Sequence, residues 1–80
     1  MEFRSENIKK FRIEKNLTQE DLVKCLKERG YELTARTLSN WENGESSPTV
    51  DALVVLSAVL EKPIEYFFAS VTYQTGVGSE

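Results

Sequence analysis

Eighty residues, 40% of them hydrophobic, make one small domain, and a domain of this size buries only a limited core. The lone Cys25 excludes an internal disulfide and any multi-cysteine zinc site, histidine is absent, and charges recur too often for an apolar run to cross a bilayer. The start lacks a basic-then-apolar signal pattern, so the expected location is the cytosol, that is, cytoplasmic. The net charge of −3 is unevenly shared: residues 1–40 hold nine Lys/Arg against seven Asp/Glu, residues 41–80 one against six. Two readings fit that asymmetry: one pole facing a polyanion with an acidic pole turned away, or a charge-solvated surface with chance asymmetry.

In chain order, Ser5 is of a capping type and predicts a first helix to about Lys15, with Ile8 and Phe11 inward and Arg12 beside them. Asn16-Leu17 form a link. A second helix opens at Thr18, where Asp21 three residues on completes a capping box and Glu20 adds first-turn acid. Leu22, Val23 and Leu26 mark its buried face, and Gly30 supplies a stop. A third helix starts at Thr34, buries Leu38 and Trp41, and ends at Asn43-Gly44, where glycine takes the left-handed conformation. Its remaining face shows Ala35, Arg36, Thr37, Ser39, Asn40 and Asn43. A helix serving stability alone favours Glu, Lys and Gln on its surface. Short polar groups with one arginine instead allow close approach to a nucleic acid.

After a polar loop at Glu45–Ser47, Pro48 disfavours helix at the residue before it, and Thr49 caps a fourth helix to about Glu61. Val50, Leu53, Val54, Ser57 and Leu60 lie on one predicted stripe, widened by Val55, Leu56 and Val59. Pro63 opens a short fifth helix through Ala69, with Ile64, Phe67 and Phe68 available to cover the core. Residues 71–80 read as a tail or the start of a linker. Val71-Thr72-Tyr73 there could be one short strand, though it lacks a visible partner. The expectation is an all-α, five-helix domain over residues 1–70.

These pieces together carry a resemblance: Arg12, then Thr18-Gln19-Glu20-Asp21-Leu22, then TARTLSNWE from Thr34 to Glu42, then Asn43-Gly44, Pro48, the apolar run Leu53–Leu60 and Phe67-Phe68. In that order they resemble the phage-repressor, or XRE-type, helix-turn-helix family over roughly residues 5–69, which implies a lambda-repressor-like DNA-binding domain. The chain departs from the family pattern in three places. The connection through Lys27 to Leu33 is about five residues longer than the usual turn, Val23 replaces a small alanine, and the charge balance is acidic.

The resemblance places Ala35, Arg36 and Asn40 at base edges in the major groove. Arginine pairs bidentately with guanine, asparagine with adenine, and Ala35 can meet only a thymine methyl. Solvation or pairing with an acid is the competing reading for Arg36, and simple exposure for Asn40. Gln19, in the first turn of the second helix, is implied as a phosphate contact that also braces a neighbour, against the plainer reading of an exposed helix former. Thr34, Thr37, Ser39 and Asn43 are short donors suited to phosphate oxygens, with capping as the alternative for Thr34 and Asn43. Ser46 and Ser47 could add contacts, while Glu45 would repel phosphate. The resemblance also implies a buried pair between Arg12 and Glu42; otherwise Glu42 is exposed and Arg12 joins a basic strip. Trp41 and Cys25 read as apolar packing.

No nucleophile, base and orienting group converge, and no glycine-rich phosphate loop is present, so neither an enzyme nor a cofactor or metal is expected. The resulting expectation is sequence-specific double-stranded DNA binding by a transcriptional regulator, a repressor, recognising an operator as a homodimer. Ile64, Tyr66, Phe67 and Phe68, with Val55 and Val59, supply the expected dimer surface. One alternative is a protein-interaction module, antitoxin-like or antirepressor-like, that kept the fold without DNA binding. A regulator or targeting module cut from a longer chain is another.

Overall fold

Three threonines start three of the four α-helices in the computed structural model, which describes residues 2–69. Helix α1 spans Ser5–Glu14, α2 Gln19–Glu28, α3 Ala35–Asn43 and α4 Val50–Leu60. The Thr18, Thr34 and Thr49 side chains accept from the backbone N–H of Asp21, Thr37 and Ala52 respectively, so each satisfies an otherwise orphaned donor. At Thr18 the capping box is complete, because the Asp21 carboxylate accepts from the Thr18 N–H in return. Ser5 does not cap α1. It is the first helical residue, and Arg4 holds the cap position without a side-chain bond. The Arg4 N–H donates to the Phe67 carbonyl at 2.8 Å, which holds Arg4 extended and brings the helix start to Ser5.

The core takes Ile8 and Phe11 from α1, Leu22 and Leu26 from α2, Leu38 and Trp41 from α3, and Ala52, Leu53, Leu56 and Leu60 from α4. On α4 the predicted stripe is rotated: Leu53, Leu56 and Leu60 point inward, while Val50 is 72% and Val54 56% exposed. A helix apolar on every side carries no periodic signal for its inner face. The longer leucines take the core, and Val55 and Val59 pack at its edge.

The expected fifth helix is one turn of 3₁₀ helix, Ile64–Phe67, so the described residues hold four α-helices rather than five. The chain then straightens into strand β2, Phe68–Ala69, which pairs antiparallel with β1, Glu2–Phe3, in the register Phe3↔Phe68 and Glu2↔Ala69. Backbone donors at the N-terminal end offer Phe68 an extended partner, and the Phe3 and Phe68 rings meet edge to face at 6.0 Å. Phe67 is fully buried beneath them and meets Phe11 edge to face at 5.4 Å. The segment 71–80, with its expected tail and strand at Val71–Tyr73, lies outside the described residues.

The long connection between α2 and α3 is tied down rather than loose. Gly30 turns it with φ +91°. The Tyr31 N–H donates to the Leu26 carbonyl, its ring lies 6.3 Å from that of Trp41, and its hydroxyl sits 3.4 Å from the Thr49 hydroxyl. Leu33 is half-buried against the core just before the Thr34 cap. The added residues therefore stay within the turn, and α3 keeps Leu38 and Trp41 inward.

Candidate nucleic-acid interface

One buried ionic junction sets the attitude of α3. Arg12, on the inner face of α1, donates from Nε to Glu42 Oε2 at 2.7 Å and from Nη2 to Glu42 Oε1 at 3.2 Å. Its Nη1 donates to the Leu17 carbonyl at 2.8 Å, in the link between α1 and α2. Gln19, the first residue of α2, donates from Nε2 to Glu42 Oε1 at 3.0 Å. The Glu42 side chain is only 2% exposed, and these three bonds answer its charge. Three segments are thereby fixed to α3: α1, the link, and the start of α2. Sequence reasoning missed the Leu17 carbonyl, because a backbone acceptor leaves no trace in residue identity.

With Leu38, Trp41 and Glu42 turned inward, the opposite face of α3 looks outward. Arg36 and Asn40 lie one turn apart on it, and Asn43 continues the row at the helix end. Arg36 is exposed and belongs to none of the ion pairs among the described residues. Asn40 is half-buried. Its carbonyl accepts from the Glu45 and Ser46 N–H groups at 2.9 and 3.4 Å, and its side-chain amide is uncommitted among the described residues. Ala35 is half-buried at the first position of the helix.

The short polar groups pair locally. The Thr34 and Thr37 hydroxyls lie 3.1 Å apart, and Asn43 Nδ2 donates to Ser39 Oγ at 3.4 Å. Thr34 is a cap, whereas the C-cap is Gly44, left-handed at φ +80°, and not Asn43. A Cβ on Gly44 would stand 3.3 Å from Ser5 Oγ, so the N-terminal end of α1 abuts the end of α3. One N–H of the Gln19 side-chain amide goes to Glu42, which leaves its second N–H, with the backbone N–H groups of Gln19 and Glu20 at the start of α2, without a partner among the described residues.

The charge of this region is balanced rather than basic. Residues 18–43 carry four Lys/Arg and five Asp/Glu, and one of the acids, Glu42, is neutralised by Arg12. The basic surplus of the first half sits on α1 and beside it, where residues 4–15 carry five Lys/Arg and two Glu. Asp21 is held below its ordinary pKa of 3.8, first by the Thr18 backbone N–H and then by the Thr18 hydroxyl.

Comparison with known proteins agrees with this architecture. A family model described as helix-turn-helix, HTH_3, matches residues 8–67. No curated protein and no solved structure matches the chain. The matched span runs from the first core residue of α1 to the last buried phenylalanine and covers most of the chain. The chain belongs to the XRE-type helix-turn-helix family, a family of DNA-binding regulatory domains.

Proposed function

We propose that the chain binds double-stranded DNA sequence-specifically, as a transcriptional regulator that represses by occluding an operator. The observation that carries this reading is the outward face of α3, with Arg36 and Asn40 uncommitted one turn apart, on a helix anchored from behind by the Arg12–Glu42–Gln19 junction. In the major groove, Arg36 would take the O6 and N7 of a guanine and Asn40 the edge of an adenine, each worth about 1–3 kcal/mol of discrimination. Ala35 would lie against a thymine methyl. Gln19 with its helix start, Thr34, Thr37, Ser39 and Asn43 would hold phosphate oxygens and set register. One recognition helix reads few base pairs, so two copies on half-sites about 34–36 Å apart complete the specificity.

Selection of bound duplexes from a random pool tests this directly. A consensus should emerge, and affinity for it should fall steeply with added salt. Arg36→Ala should weaken the consensus duplex by about 10–100-fold and unrelated DNA little, while Gln19→Ala should weaken both similarly. Recovery of no DNA would favour the second reading, a protein-interaction module, for which the balanced charge of residues 18–43 speaks.

A further inference from the structure

The lengthened connection between α2 and α3 holds a carboxylate in a fixed place. Burial alternates along its last residues: Tyr31 and Leu33 are half-buried and packed against the core, while Glu32 and Thr34 are exposed. Glu32 is therefore fastened by an anchored side chain on either side and turned outward between them. It belongs to none of the ion pairs among the described residues. It opens on a surface depression of about 390 Å³ that Lys27, Leu33 and Thr34 also line, at the head of α3.

We propose that Glu32 reads a cytosine in the major groove, at a base pair beyond the one met by Arg36 and on the side away from Asn40. The proposal rests on the DNA-binding reading above. A helix-turn-helix sets the N-terminal end of its recognition helix against base edges. Glu32 stands three residues before Ala35, the first residue of α3, and so leads that end. Three residues of extended chain span about 10 Å, the rise of about three base pairs.

The chemistry of the carboxylate selects the base. An ionised carboxylate only accepts hydrogen bonds, and phosphate oxygens repel it, so the DNA backbone offers it nothing. The donors in the major groove are adenine N6 and cytosine N4. Adenine N6 stands between two acceptors, its own N7 and O4 of the paired thymine. Cytosine N4 has an acceptor on one side only, O6 of the paired guanine, and leaves the other side open to Glu32. Lys27 borders the same depression and is likewise outside the ion pairs, so its ammonium offsets the repulsion between Glu32 and the backbone.

The experiment selects duplexes from a random pool with the parent, with Glu32→Gln and with Arg36→Ala. The parent consensus should contain a cytosine–guanine pair within about three base pairs of the position that Arg36→Ala relaxes. Glu32→Gln should keep the rest of the consensus and lose the cytosine, exchanging it for adenine, the base that suits a glutamine amide. On the parent consensus with only that pair replaced, the parent should bind about tenfold weaker or more, and Glu32→Gln should not discriminate against it. Glu32→Ala, with the parent's circular dichroism spectrum, should lose the cytosine and gain no base in its place. Tighter binding of Glu32→Gln to consensus and unrelated DNA by the same factor would mean that the carboxylate meets only the backbone. An unchanged consensus with unchanged affinities would mean that it faces away from DNA. Either result overturns the proposal and leaves DNA recognition standing, whereas failure of the pool to yield any bound duplex overturns both.

Discussion

Removing the Glu42 carboxylate would leave the Arg12 guanidinium buried with only the Leu17 carbonyl to answer it. Glu42→Ala should therefore lower stability in urea unfolding by about 3–5 kcal/mol. Gln19→Ala, which removes one of three donors to the same carboxylate, should cost about 1 kcal/mol. The two glycines with positive φ offer a second contrast. Gly30→Ala meets open space and bears only the cost of its backbone conformation, whereas Gly44→Ala also drives a methyl against Ser5. Both should destabilise, by about 1 kcal/mol for Gly30→Ala and more for Gly44→Ala, and thermal melts of the pair would show the order.

At the scale of elements, the caps did most of the specifying. Thr18, Thr34 and Thr49 mark their helix starts in the amino-acid order, because a cap works through one side chain and a donor three residues away. Thr34→Ala or Thr49→Ala should each cost about 1 kcal/mol. The α2 box adds a pH signature. Folding lowers the Asp21 pKa, so the folded chain binds fewer protons there than the unfolded chain. The stabilisation from this carboxylate is complete above about pH 5 and disappears as pH falls through the lowered value. Urea midpoints taken from pH 6 down to pH 2 should fall less steeply for Asp21→Asn than for the parent. Features built from non-local partners were not legible. The inner face of α4 depends on which of several apolar sides its neighbours cover, and the β1–β2 pairing joins two dipeptides from opposite ends of the described chain. In the candidate interface, the outward row on α3 could be read from its short polar residues, whereas the commitment of Gln19 to Glu42 needed coordinates.

Across the whole molecule, two ion pairs link the end of α1 to the end of α4: Lys15 with Glu61 at 2.7 Å and Lys62 with Glu14 at 3.5 Å. The Lys62 ammonium also lies over the Phe11 ring, 5.1 Å from its centre. Exposed pairs of this kind contribute little, so raising salt should hardly move the melting temperature. DNA affinity should fall steeply over the same salt range, which separates the two electrostatic roles in a single titration. The β1–β2 pairing has a consequence of another kind. It sets Glu2 opposite Ala69, so the two ends of the described chain stand as neighbours in an antiparallel ladder, a geometry that a two-residue Asn-Gly turn can close. A circular permutant joined in that way from Ala69 to Glu2, and opened between Tyr31 and Glu32, would turn the clasp into a continuous hairpin while keeping Tyr31 joined to α2, whose Leu26 carbonyl accepts from its N–H. It should fold and present the same α3 face, as its circular dichroism spectrum and its binding to the selected duplex would show.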